Sequence, residues 1–379
     1  MKKTLKLLFL LTVLLLWRCR EVYINPNVPA SVNYLTVEGY ISANGPTKYS
    51  LSHTIPLPGD STIQMEANAE VQVEGDDNSV NPLLQQTPGV YAADSLPLSS
   101  TVKYRLRITT QAGKVYLSDY VPYRQTPPID SISWVYDGSK VTIYVNTHDP
   151  ANATRYYQWQ DVETWQYNSA EQSSLMYQAS NNTVVLRPIE QQIYTCWENV
   201  PSTEILLGNT TRLSQDVVAK FPLLNIPNGS PKISVLYSII VQQTALTEDG
   251  YNYLSILKKN TESLGSIFDA QPSELHGNIH CINNPGELVL GNISAGDVRQ
   301  QRIYISPDQV YLGYFPVCQD TDVFVANNPD RLRAFFSGGA SIPLYNKIQQ
   351  GVAGFGANAA GCVDCRLKGG TTQKPSFWP

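Results

Sequence analysis

The chain has 379 residues, with 27 Lys+Arg against 32 Asp+Glu and a net charge of −5. Charged residues make up 16% of it, well under the roughly 25% of an average soluble domain, and there is no basic excess to neutralise phosphates, which argues against a nucleic-acid partner. Hydrophobic residues at 42% exclude a disordered chain, while 23 Tyr with 25 Pro and 24 Gly favour many short strands joined by turns.

Residues 1–18 read as a secretory signal peptide. Lys2, Lys3 and Lys6 supply the basic start, and residues 7–16 are apolar apart from Thr12. A helix of that length rises about 15 Å, half of a roughly 30 Å hydrocarbon core, so it does not span. Leu16-Trp17-Arg18-Cys19 follows. A Cys directly after the apolar run marks a bacterial lipoprotein, whose thiol is acylated before cleavage. Trp17 and Arg18 depart from the small residues usual before it, and the alternatives are a signal cleaved elsewhere or a short uncleaved anchor. Each buried CH₂ of an acyl chain contributes about 0.8 kcal/mol, so several chains would hold the protein on a membrane. Residues 19–30, with Pro26 and Pro29, read as a tether. Loss of residues 1–18 removes four cations and no acid, which leaves anchoring to the acyl chains alone.

From Tyr34 the pattern has period two. Residues 34–41, 48–52, 69–74, 102–108 and 114–117 alternate, and they predict a β-sandwich over 31–121. Residues 122–128, with Pro122, Pro127 and Pro128, read as a linker. A β-rich domain is expected over 129–379. It opens on a hairpin in which Ile132, Trp134 and Tyr136 turn through Asp137-Gly138 into Val141, Ile143 and Val145. Strands are also expected at 155–159, 233–241, 287–290, 302–305 and 310–315. One α-helix is predicted near 248–264, capped by Thr247, with Tyr251, Leu254, Leu257 and Leu264 on one face and Gly265 as its stop. The expected fold class is mainly β: two β-sandwich modules of immunoglobulin or fibronectin-III type, and a β-rich C-terminal extension carrying one prominent helix.

Apart from Cys19, five cysteines remain: Cys196, Cys281, Cys318, Cys362 and Cys365. In an oxidising envelope they are disulfide candidates, and the odd number leaves one thiol over. Cys362-Val-Asp-Cys365 has redox or zinc-ribbon spacing, but no second matched pair exists and the segment is Gly-rich, so disulfides tying the tail to the body are favoured. Their pairing stays open.

Catalytic signatures are weak. No G-x-S-x-G, P-loop or H-E-x-x-H occurs, so no catalytic residue and no cofactor is assigned and a non-enzymatic protein is expected. Gly354-Phe355-Gly356-Ala357-Asn358-Ala359 imitates a dinucleotide fingerprint without a strand before or a helix after, and reads as a flexible loop. His276 and His280 beside Cys281 have metal-ligand spacing only on a helix, which is not expected there; they read as exposed loop histidines. Asp320-Thr321-Asp322 begins like a calcium loop, but Phe324 takes the next ligand position. No metal is assigned. Among Tyr156, Tyr157, Trp159, Trp165 and Tyr167, the pair Tyr157 and Trp159 suits a core, while Trp165 and Tyr167 are candidate contacts for a small glycan or peptide. Phe377-Trp378 is expected to plug an apolar pocket.

Several blocks carry a resemblance. Leu35-Thr36-Val37-Glu38-Gly39-Tyr40-Ile41 is followed by Tyr49-Ser50-Leu51-Ser52-His53-Thr54, and Pro128-Ile129-Asp130-Ser131-Ile132 marks the second module. Asn260-Thr261-Glu262, Gly265-Ser266-Ile267-Phe268-Asp269, Gln271-Pro272-Ser273 and Gly277-Asn278-Ile279 come next. Cys362 and Cys365 with Gly369-Gly370 and Lys374-Pro375-Ser376-Phe377-Trp378 close the chain. In this order they resemble a lipoprotein family of Bacteroidota cell envelopes, known only as a domain of unknown function and commonly encoded beside TonB-dependent receptors. The poor lipobox and Leu290-Gly291-Asn292-Ile293 depart from its pattern. The resemblance implies an outer-membrane accessory protein that presents a ligand to a TonB-dependent receptor. It carries no catalytic residues to transfer. A surface adhesin and an envelope hydrolase with an unfamiliar site are the alternatives.

Overall fold

The computed structural model describes residues 33–55, 62–262, 274–318 and 323–379, and the chain is mainly β. Nine strands come first: β1 (Leu35–Ser42), β2 (Thr47–His53), β3 (Gln64–Met65), β4 (Glu70–Gly75), β5 (Val80–Thr87), β6 (Val90–Ala93), β7 (Lys103–Thr109), β8 (Val115–Ser118) and β9 (Val121–Arg124). Alternation decides their faces. In β7, Tyr104, Leu106 and Ile108 enter the core, while Arg105 on the other face meets Glu74 of β4 at 2.6 Å.

The second module follows as β10 (Ile129–Tyr136), β11 (Lys140–His148), β12 (Tyr156–Asn168), β15 (Thr195–Pro201), β16 (Leu206–Asn209), β17 (Val217–Pro227) and β18 (Leu236–Ala245), while the hairpin β13 (Leu175–Gln178) and β14 (Thr183–Leu186) that leaves it after β12 packs instead on Val325, Leu332 and Phe336 further along the chain. The hairpin expected at Asp137-Gly138 joins β10 to β11, with Tyr136 opposite Val141. Helix α1 (Glu248–Glu262) comes next, and the Thr247 hydroxyl accepts the backbone N–H of Gly250 at 3.1 Å as its cap. Leu264 and Gly265 lie outside the described residues.

After α1 the chain lays down β19 (Ile279–Cys281), β20 (Ala295–Gly296) and β21 (Val298–Ile305). Two of these return to the first module. β19 adds to β8, and β20 inserts between β1 and β9, parallel to both. With β7 also pairing β9, the order β7-β4-β5-β6-β2-β1-β20-β9 closes on itself as an eight-stranded barrel. The sandwich expected over 31–121 is therefore corrected to a barrel, and its boundary to one that includes residues near 279–296. Sandwiches and barrels bury alternate residues in the same way, so the pattern within 31–121 could not tell them apart. Closure is tight. A Cβ at Gly296 would stand 2.0 Å from the Arg124 carbonyl oxygen and 2.8 Å from the Tyr40 hydroxyl.

β21 joins the other module. Its two sheets, β10-β11-β17 and β15-β12-β18-β21 with β16 on β12, share one core containing Val141, Ile143, Trp159 and Ile239. The expected linker at 122–128 is not loose: Pro122 lies within β9, and Thr126 is fully buried. The Thr126 hydroxyl donates to the Asp297 carbonyl and accepts from the Ala245 N–H. Strands expected at 287–290 and 310–315 are absent; Leu290 makes one isolated bridge to Thr36, and Val310 and Leu312 enter the core from irregular backbone.

The C-terminal region adds β22 (Val323–Ala326), helix α2 (Pro329–Phe336), β23 (Ser341–Gln349) and β24 (Val352–Ala359) in the order β22-β24-β23. The Gly354–Ala359 segment, expected as a loop, is thus most of a central strand. Its glycines admit aromatic rings over the backbone; at Gly356 a Cβ would meet the Tyr345 ring at 2.7 Å.

Candidate functional site

The cysteines form two structural clips. Cys196 on β15 pairs with Cys365, and Cys318 pairs with Cys362. Cys281 on β19 is a buried, unpaired thiol. Because Cys362 and Cys365 take different partners, their spacing is neither a redox pair nor half of a metal site. The tail is held further by the Tyr167 hydroxyl, which donates to the Cys365 carbonyl and accepts from the Gly370 N–H. Trp378 is buried, with its indole N–H donating to Gln166 at 3.0 Å, whereas Phe377 stays partly exposed beneath the Arg302 guanidinium at 3.7 Å. One aromatic of the pair plugs a pocket and the other covers surface.

Trp165 and Tyr167 are corrected as surface contacts, being 6% and 2% exposed. β12 runs between β15 and β18, and its odd-numbered residues face the core from Tyr157 through Tyr167. Tyr157 and Trp159 are buried as expected. The same face carries charge: Lys232 grips Glu163 at 2.7 Å, lies 5.1 Å from the Trp165 ring centroid, and Tyr237 donates to Glu163 at 2.8 Å. Nearby Asp161 is buried with one carboxylate oxygen lacking a partner, and burial, followed by the charge of Glu163, pushes its carboxyl up to about 6. His276 and His280 are exposed, each 3.4 Å from a carboxylate, and His280 sits on strand β19 rather than in a loop. Among the described residues no three metal-ligating side chains gather. Cys19, Asp320 and Asp322 lie outside the described residues.

Among the described residues, a cleft of about 540 Å³ opens where barrel meets sandwich. Its size falls within the range of small-molecule sites. Pro127, Ala245 and Leu246 make a buried apolar floor, and Arg124, Asp149 and Arg299 line its polar side. These side chains come from β9, from the loop after β11 and from β21, so only the closed barrel assembles them. Asp297 braces the junction. It accepts the Tyr123 hydroxyl at 2.6 Å, pairs with Arg299 at 3.4 Å, and its N–H donates to the Arg124 carbonyl. Burial, then the bond to Asp297, holds the Tyr123 phenol well above its ordinary range. Asp149 is spent locally on the N–H groups of Ala151, Ala153 and Thr154. Burial raises its carboxyl, but those donors outweigh it and hold the group below the usual carboxylate range. Arg299 donates to the Thr126 carbonyl at 3.0 Å besides facing Asp297. Arg124 differs: its Nε is buried without a hydrogen-bond partner, and it takes part in no ion pair among the described residues.

A family model matches residues 22–302 of the chain. The chain belongs to DUF4249, a domain of unknown function. The DUF4249 match spans the barrel, the sandwich as far as the middle of β21, and every residue lining the cleft. No curated protein matches. Among solved structures, a two fibronectin type-III domain segment from chicken tenascin is similar over 57% of this chain and 93% of that one, at 10% identity and a TM-score of 0.17. That score is too low to carry an argument about fold.

Proposed function

We propose that this DUF4249 protein is a non-enzymatic lipoprotein of the outer membrane that captures a small ligand in the barrel–sandwich cleft and passes it to a TonB-dependent transporter. The observation that carries the reading is the cleft itself, with its apolar floor and an Arg124 side chain that makes no hydrogen bond or ion pair among the described residues. Two further features support the location: disulfides persist in oxidising compartments, and Cys19 directly follows the apolar N-terminal run. The lipoprotein family of Bacteroidota envelopes that the chain resembles supplies the transporter as partner.

Purification from outer membranes in gentle detergent tests the partnership, with recovery of a TonB-dependent receptor alongside the protein as the expected result. Recovery of the protein alone, together with unchanged nutrient uptake and reduced attachment in a deletion strain, would favour an adhesin. Metabolic labelling with a fatty acid tests the anchor; equal labelling of wild type and Cys19→Ala would remove the lipoprotein reading.

A further inference from the structure

The cleft also carries information about the chemistry of its ligand. We infer that it takes a small organic carboxylate with an apolar body, held by the Arg124 guanidinium. The inference rests on the capture reading only in treating this cleft as the ligand site.

The charged groups around the cleft divide, among the described residues, into those already committed and one that is not. Asp297 is shared between Tyr123 and Arg299, Asp149 receives three backbone N–H groups, and the Thr126 hydroxyl bridges the Asp297 carbonyl and the Ala245 N–H. Arg299 spends its Nε on the Thr126 carbonyl. Arg124 has a desolvated Nε–H without an acceptor. With no ion pair to hold it, the guanidinium can meet a ligand anion, and the edge made by its two terminal nitrogens fits the two oxygens of a carboxylate as a planar fork.

Charge and surface narrow the class. One uncommitted guanidinium beside the negative Asp149 suits a monoanion and disfavours a phosphate dianion. Pro127, Ala245 and Leu246 form an apolar floor, and the apolar surface that a hydrocarbon portion covers there contributes about 25 cal/mol per Å². Two sources share this chemistry, a free short-chain acid and the C-terminus of a peptide.

Calorimetric titration of the full-length protein in detergent separates these, using pentanoate, pentanamide, acetyl-Ala-Leu, acetyl-Ala-Leu amide and inorganic phosphate. We expect each carboxylate to bind at least tenfold more tightly than its amide, and phosphate to bind more weakly than both acids. Tighter binding of acetyl-Ala-Leu than of pentanoate assigns a peptide source, and the reverse assigns a free acid. Arg124→Gln should lose at least tenfold in carboxylate affinity without changing amide affinity, with partial recovery in Arg124→Lys, while the melting temperature of both variants reports intact folding. Equal binding of acids and amides, preference for phosphate, or an unchanged Arg124→Gln would overturn the inference and leave capture at this cleft standing. Absence of binding by every probe would overturn both.

Discussion

Tyr123 of the barrel donates its hydroxyl at 2.6 Å to Asp297, the residue that connects barrel strand β20 to sandwich strand β21. Asp297 also faces Arg299 on β21 at 3.4 Å, so a single carboxylate couples the two modules beside the cleft. A hydrogen bond to a partly buried charged group contributes about 1.5–3 kcal/mol. Tyr123→Phe should therefore lower stability by about 2 kcal/mol, read as a fall in urea midpoint at constant slope. An unchanged midpoint would show that the bond is no stronger than a solvated surface contact.

Gly296→Ala should be worse. The added methyl would fall on the Arg124 carbonyl, which is backbone and cannot swing aside. Overpacking of this kind costs about 1–3 kcal/mol, and the strain falls on the strand that closes the barrel. Hydrogen exchange should accelerate first at β20 and at the neighbouring edges of β1 and β9; acceleration confined to the sandwich would contradict this placement.

Asp161 predicts a dependence on pH. Its folded carboxyl titrates near 6 because of burial and Glu163, above the value of an unfolded Asp, so the ionised form is the costly one. The favourable contribution is complete below about pH 4 and is lost as pH rises through about 6. Asp161→Asn should stabilise the protein at pH 8 by about 2–3 kcal/mol and change little at pH 4. A gain that is the same at both pH values would mean that charge is not the cause.

The two disulfides should differ in weight. Cys196–Cys365 spans 169 residues and Cys318–Cys362 spans 44. Loop-closure entropy alone gives about 5 and 4 kcal/mol respectively. The paired replacement Cys196→Ser with Cys365→Ser should cost more than Cys318→Ser with Cys362→Ser in denaturation under oxidising conditions. It should also expose the tail near Trp378 to carboxypeptidase, because that clip sits where the tail meets β15. Equal losses would point to native-state contacts rather than loop length.

Much of the fold was legible in the sequence, and the reasons are local. Alternation within β7, the Asp-Gly turn between β10 and β11, and the Thr247 cap each depend on a few neighbouring residues, and each appears where those residues place it. Closure was not legible, since β20 is two residues long and reaches β1 and β9 across more than a hundred residues. Trp165 and Tyr167 have the same spacing as Tyr157 and Trp159; whether such aromatics face core or ligand depends on the strands flanking β12, which sequence does not name. Gly354 and Gly356 resembled a loop because their aromatic partners, Phe324 and Tyr345, sit on neighbouring strands. The cleft left no sequence signal. Arg124 and Arg299 are unremarkable individually, and only the returning chain sets them beside one another's walls.

That return has a consequence for biosynthesis. Until residues near 295 have been synthesised, β1 and β9 offer bare backbone edges, and the nascent barrel can pair with a wrong strand or another chain. Strands β10 to β18 emerge in the interval, so the first module cannot finish before most of the second has been made. High contact order of this kind slows folding, and it lengthens the time for which those edges stay open.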